Sequence, residues 1–344
     1  MPILNPDQEV FRHMKIKLTL FGKCIIIALI LTACLLMASC NSFTDVVSSN
    51  AKLNLNNPPA GTYGHVAWLS EHQIAFQYSP KLEPRSGDYQ LELYELGTKE
   101  WHIVSQISDE ICPRGTIRWL NRLPTGELGF ISECDLQSRG IYNVLYAWNN
   151  ETNNLRRLRQ FAGDDNFHTG DYTFTPDMTQ LVQTRINAKA FSVDTNGNLT
   201  PILANYNLID SPRWSPDGKI LAFAASTASD VMSLEPWNII LQRGSQQSTT
   251  IMSGVQFAAF IKWSPLGRWL SFRGKYQGLD GIWVLDTQTL QLTRVWDDQS
   301  FYDWSPDGKH MVVIERTKRA EIDGEDRTLP IIIDMPPQLY QSTS

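Results

Sequence analysis

Apolar residues in this chain recur with a period of two. Ile74-Ala75-Phe76, Leu128-Gly129-Phe130, Leu221-Ala222-Phe223, Leu270-Ser271-Phe272 and Met311-Val312-Val313 are short apolar runs, mostly large–small–large. Such alternation sends successive side chains to opposite faces, which is the mark of a strand. A small middle residue lets a neighbouring sheet approach closely. Each run is followed by two more strand-like segments separated by a polar turn. Leu91-Glu92-Leu93-Tyr94 is followed by Trp101-His102-Ile103-Val104, and Ile282-Trp283-Val284-Leu285 by Leu292-Thr293-Arg294-Val295. Asp286-Thr287-Gln288-Thr289, between the last pair, is turn chemistry. Beyond the first forty residues no stretch sustains helical periodicity, so the pattern predicts an all-β chain.

The strands stand in register with a repeated turn. Arg213-Trp214-Ser215-Pro216-Asp217-Gly218-Lys219 returns as Asp303-Trp304-Ser305-Pro306-Asp307-Gly308-Lys309 and, altered, as Lys262-Trp263-Ser264-Pro265-Leu266-Gly267-Arg268. Proline presets the first turn position, aspartate stabilises the turn through its side chain, and glycine takes the positive φ where the chain reverses. In these three units the apolar run begins seven residues after the Trp. Weaker copies are Phe174-Thr175-Pro176-Asp177, Trp119-Leu120 with Pro124-Thr125-Gly126, and Ala67-Trp68-Leu69. Aromatic residues at 68, 119, 174, 214, 263 and 304 give an average spacing of about 47 residues. That suits a blade of four short strands, and six such units predict a six-bladed antiparallel β-propeller over residues 61–344. The last unit lacks an obvious fourth strand. Ala51-Lys52-Leu53-Asn54-Leu55 alternates suitably to supply it, and Gln338-Leu339-Tyr340 is the competing segment.

The first forty residues have a different character. Lys15, Lys17 and Lys23 precede an uncharged run over residues 24–39, shorter than the roughly 20 residues a spanning helix wants. A basic stretch, a short apolar core and small residues at the end describe a signal peptide over residues 1–39. Asp7 and Glu9 sit oddly in such a leader, and Met14-Lys15-Ile16-Lys17 makes a more typical start. Met37-Ala38-Ser39-Cys40 resembles the lipobox of bacterial lipoproteins, which implies lipid on Cys40. Leu31-Thr32-Ala33-Cys34 is the alternative box, but cutting there would leave Leu35, Leu36 and Met37 on the mature end. The polar residues after Cys40 suit a tether over residues 40–60. The expected location is the cell envelope, with the propeller outside the cytoplasm and the membrane reached through the N-terminal lipid.

Charge narrows the partners. The formal charge is −6, and cleavage before Cys40 leaves 26 bases against 34 acids, or −8. Such a chain lacks the basic face that nucleic acid requires. Two of the five cysteines, Cys112 and Cys134, lie in the folded part. Outside the cytoplasm a lone pair is read as a disulfide, with two separate buried thiols as the alternative.

The repeated Trp-Ser-Pro-Asp-Gly-Lys motif with its apolar strand resembles the WD40-like (PD40) repeat of the TolB-type six-bladed propellers, over roughly residues 61–336. The resemblance implies a periplasmic or surface-exposed propeller that binds protein partners. Catalytic signatures are absent: there is no Gly-x-Ser-x-Gly elbow, no His-Glu-x-x-His and no phosphate-binding glycine loop. The sequence is therefore read as a non-catalytic protein without cofactor or metal, presenting a propeller face to a protein or peptide. A solute- or glycan-binding lipoprotein is the alternative, and an enzyme with its site in the central channel is the third reading. The repeat tryptophans are read as core between blades. Arg118, Arg213 and Lys262 are expected to line the central opening and select an acidic group. Asp164, Asp165, Phe167 and His168, in an acidic stretch that ends at Asp171, are expected on a loop of the binding face.

Overall fold

The computed structural model describes residues 43–47, 52–84, 88–104, 116–135, 141–161, 169–185, 190–193, 199–202, 205–228, 235–244, 247–317 and 327–340. The chain divides into two units, residues 1–44 and 45–344, and all that follows concerns the second. It is a six-bladed propeller of antiparallel blades.

Blade 1 comprises Thr62–Ser70, Gln73–Ser79, Gln90–Glu95 and Glu100–Ile103; blade 2 comprises Thr116–Arg122, Leu128–Asp135, Ile141–Asn149 and Asn154–Phe161. Blade 3 comprises Thr169–Phe174, Leu181–Arg185, Ala190–Val193 and Leu199–Ile202; blade 4 comprises Leu208–Trp214, Ile220–Ser226, Trp237–Arg243 and Gln247–Val255. Blade 5 is built from Phe257–Trp263, Trp269–Tyr276, Leu279–Asp286 and Leu292–Trp296. Blade 6 has Tyr302–Trp304, His310–Thr317 and Arg327–Asp334, and its outermost strand is Lys52–Asn54. Lys52, Leu53 and Asn54 pair with Ile333, Ile332 and Ile331, so the start of the unit closes the ring. The competing segment near the C-terminus forms instead a 3-10 turn, Pro337–Leu339, which buries Leu339 among Tyr302, Trp304 and Met335.

The repeated turn explains the register. In blade 4 the Gly218 amide donates to the Ser215 carbonyl at 2.8 Å, with Gly218 at φ +71°. Ser215 Oγ donates to Asp217 Oδ1 at 2.6 Å, and the Lys219 amide donates to the same carboxylate at 3.1 Å. Blade 6 repeats this through Ser305, Asp307 and Lys309, and blade 3 through Thr175, Asp177 and Thr179. In blade 2 the equivalent of Ser215 is Leu123, whose carbonyl accepts from the Gly126 amide at 2.9 Å. Arg122 pairs with Leu128 just as Trp214 pairs with Leu221, so Arg122 holds the repeat-aromatic position of that blade. The placing of Trp119 at that position is corrected accordingly: it lies three residues earlier, and the degraded turn of blade 2 hid the offset.

The core is a series of wedges between consecutive blades. Leu91, Leu93, Ile117, Leu120, Leu128 and Phe130 fill the wedge between blades 1 and 2. Trp269, Ile282, Trp296, Trp304, Met311 and Ile333 fill that between blades 5 and 6. A repeat tryptophan reaches back across its wedge: Trp304 Nε1 donates to Ser271 Oγ at 2.8 Å, and Trp263 Nε1 to the Arg213 carbonyl at 3.0 Å. Ser271 is the small middle residue of its apolar run and is fully buried beneath Trp304.

Candidate functional site

The innermost strands of blades 1 to 5 each carry a register shift in the residues just before the repeat-aromatic position. Such an extra residue bends a strand and re-aims its side chain. Three residues ahead of the repeat aromatic stand His65, Trp119, Asp171, Ser211, Phe260 and Phe301, one per blade. Trp119, Ser211 and Phe260 have φ of +57°, +50° and +55°, a conformation that costs side-chain-bearing residues about 1–3 kcal/mol each. Neighbouring blades hold the chain there. The Phe260 amide donates to Ser211 Oγ of blade 4 at 2.5 Å, and the Phe260 carbonyl accepts from Tyr302 Oη of blade 6 at 2.5 Å.

Four of these residues form a plug. His65 lies 5.1 Å from the Trp119 ring, 5.4 Å from Phe260 and 4.4 Å from Phe301. Trp119 stacks on Phe260 at 5.2 Å, and Phe260 meets Phe301 edge-on at 5.0 Å. These rings come from blades 1, 2, 5 and 6, so they meet on the propeller axis. Burial and the nearby cations Arg273, Lys262, Arg118 and Arg213 hold His65 well below the usual histidine range, so it is neutral in the plug.

Below the plug, on the side of the Ser-Pro-Asp-Gly turns, is a cavity of about 490 Å³ lined by Trp68, Trp214, Trp263, Trp304 and the turn prolines. Arg122, Arg213 and Lys262 also line it, and the last two are already engaged. Arg213 bonds Asp171 at 2.7 Å and reaches the Tyr172 carbonyl at 2.9 Å and Asn121 Oδ1 at 3.2 Å. Lys262 pairs with Asp303 at 2.8 Å, and the other Asp303 oxygen accepts the Trp68 amide at 2.8 Å.

Above the plug, where the inner strands begin, is a cavity of about 650 Å³ lined by Tyr89, Arg118, Asp210, Phe260, Arg273, Phe301 and Arg316, among others. The Arg273 guanidinium sits 3.9 Å from the Phe260 ring centroid and 4.8 Å from that of Phe301. Burial lowers its pKa to about 10. Its Nε is buried without a hydrogen-bond partner among the described residues. Asp210 accepts from Ser211 Oγ, and burial pushes its carboxyl up to about 6.

The three cations singled out in the sequence therefore do not act together. Arg118 faces the upper cavity, whereas Arg213 and Lys262 lie below the plug in ion pairs. Asp171 is no loop residue: it is buried in the inner strand of blade 3. Asp164, Asp165, Phe167 and His168 lie outside the described residues, as do Cys34, Cys40 and Cys112. Cys134 lies in Leu128–Asp135, opposite Tyr142. Sequence reasoning missed Arg273, Asp210 and the plug, although aromatic residues at one offset before the repeat position carry a signal for the last. Among the described residues no three His, Cys, Asp or Glu side chains are grouped to hold a metal ion.

The sequence matches no protein-family model and no curated protein. Solved structures match by fold. TolB from Acinetobacter baumannii superposes with a TM-score of 0.57 at 14% identity, over 77% of this chain and 64% of that one. The chain thus spans a little under two thirds of that TolB structure. A gluconolactonase from Xanthomonas campestris gives 0.53 at 10% identity, over 84% and 91% of the two chains. An oligogalacturonate lyase in complex with manganese gives 0.52 at 12% identity, over 88% and 98%. At these identities the likeness is one of architecture: a six-bladed propeller of TolB-type, WD40-like repeat fold.

Proposed function

We propose that the protein works by binding and not by catalysis, as a cell-envelope lipoprotein held to the membrane by lipid on Cys40. The upper propeller face captures a protein or peptide partner. The observation that carries this reading is the charge around the upper cavity: among the described residues Arg118, Arg273 and Arg316 face one carboxylate, Asp210, in a chain of net charge −6. A rigid ring with a plugged channel makes that cavity a blind cup, suited to holding a protruding group. The family resemblance also implies protein partners.

A second reading, a solute- or glycan-binding lipoprotein, is favoured by the cup's size and aromatic lining. About 650 Å³ falls within the roughly 300–1,000 Å³ of small-molecule sites. Two structural relatives are, by name, an oligogalacturonate lyase and a gluconolactonase.

Three experiments test the proposal. Fatty-acid labelling should disappear in Cys40→Ala; persistence there with loss in Cys34→Ala would move the lipid to the other box. Cross-linking in intact envelopes should join the protein to a defined partner, and Arg316→Glu at the rim should abolish that product. Turnover of an ester, glycoside or peptide, abolished by one carboxylate substitution, would overturn the binding reading.

A further inference from the structure

The upper cup has a chemistry narrower than "a partner". Of the channel cations, Arg213 and Lys262 each close an ion pair with a carboxylate, at 2.7 and 2.8 Å. Arg273 closes none among the described residues. Its Nε is buried without a partner there, and a terminal nitrogen reaches the Gln299 carbonyl only at 3.5 Å. A guanidinium held in a cavity with hydrogen-bonding capacity unmet is an anion receptor by default, because desolvation without compensation is costly. Arg273 packs against the Phe260 and Phe301 rings, which restricts its guanidinium before a ligand arrives.

The remaining lining groups strengthen the preference. Arg118 and Arg316 add positive charge, and His65 adds none, being neutral in the plug. Among the described residues Asp210 is the one lining carboxylate, and it is engaged by Ser211 Oγ. Trp119, Phe260 and Phe301 also line the cup, which suits an apolar or ring-shaped group next to the anion.

We infer that the upper cup is a receptor for a carboxylate carried on an apolar or ring-shaped group, with Arg273 as its principal anchor and Arg118 and Arg316 as supporting charges. The inference rests on the reading of the upper face as the binding face. A peptide carboxylate and a sugar acid share this chemistry, and the experiment separates them.

Full-length protein in detergent is titrated calorimetrically with N-acetylphenylalanine and its amide, and with galacturonate and galactose. At least one carboxylate should bind, with its uncharged counterpart at least tenfold weaker. Preference for the first acid assigns a peptide source, and for the second a sugar source. Arg273→Gln should weaken the carboxylate at least tenfold. Because Arg273 packs on two rings, the exposed Arg316→Glu is measured in parallel, and a loss of at least threefold is expected there without change in the thermal midpoint. Equal binding of the neutral probes, no binding of either acid, or an unaltered affinity in Arg316→Glu overturns the inference. If the acids fail to bind while the cross-linked partner is still captured and lost in Arg316→Glu, the carboxylate assignment falls and the upper-face reading stands. If an acid binds as expected but no partner is cross-linked, the partner reading falls alone.

Discussion

Trp119 and Phe260 stack across the propeller axis at 5.2 Å, their rings inclined by 18°, although their strands belong to blades 2 and 5. Both have a left-handed backbone, at φ +57° and +55°. Two strained residues meeting on the axis tie opposite sides of the ring together.

That tie is measurable. Phe260→Ala should lower stability by about 3 kcal/mol, as for a large aromatic removed from a packed site. A double-mutant cycle with Trp119→Ala should yield a coupling of about 0.5–1.5 kcal/mol. Urea unfolding checks both numbers. A coupling near zero would mean that the two rings only share a cavity.

Arg213 and Asp171 supply the next test. Their 2.7 Å pair is buried, with the Asp171 side chain 1% exposed. Removing one partner strands the other charge, so Arg213→Ala should destabilise by about 3–5 kcal/mol. Changing both, to Arg213→Met and Asp171→Leu, should recover most of that loss. A single variant with an unmoved denaturation midpoint would make Arg213 a ligand-binding cation instead of a structural one.

The channel shows where sequence reading stops. Turns such as Ser305-Pro306-Asp307-Gly308 are local, and each determines its own hairpin, so the blades and their number can be read along the chain. The closing strand is legible too, because Lys52–Asn54 alternates like a strand and blade 6 has a place for it. The pair Arg213–Asp171 joins blades 3 and 4, and its carboxylate reads in sequence as the end of an acidic loop. Arg273 sits on the second strand of blade 5, where the bulge in that blade's own inner strand places Phe260 against it and blade 6 adds Phe301. The Arg213–Asp171 pair and the Arg273–Phe301 contact depend on how repeats pack side by side around an axis, and no single repeat contains them. Trp119 mimics a repeat aromatic because the turn that follows it is degraded: with Leu123 in place of serine, blade 2 lacks the Ser–Asp bond that marks the register elsewhere.

Glu92 gives a pH dependence with a definite sign. It lies in Gln90–Glu95 of blade 1, is 1% exposed, and burial pushes its carboxyl up to about 7 against an opposing hydrogen bond with Tyr63. The folded protein therefore holds this proton more tightly than the unfolded chain between about pH 4.5 and 7. Its contribution is full below that window and is lost as pH rises through it, by roughly 2–4 kcal/mol in all. Other carboxylates titrate as well, so the useful quantity is the stability of the wild type minus that of Glu92→Gln. That difference should fall between pH 5 and 7; a flat difference would show that Glu92 stays ionised.

The closing strand yields the last prediction. Leu53 pairs with Ile332 yet its side chain is 63% exposed, so this strand holds by its backbone ladder and by its ends. Lys52 contributes an ion pair with Glu315 at 3.2 Å and lies 4.3 Å from the Trp296 ring centroid, which links blade 6 to blade 5. Leu53→Lys should therefore change stability by no more than about 0.5 kcal/mol, as an exposed substitution does. A chain beginning at Gly61 should behave differently. It leaves Arg327–Asp334 as an open edge, and an unpaired edge templates association with another chain. The truncated protein should melt earlier and self-associate in light scattering, and a synthetic peptide of residues 44–60 should reverse both effects. If the truncated chain stays monomeric with an unchanged midpoint, the pairing of Lys52–Asn54 contributes nothing to closure of the ring.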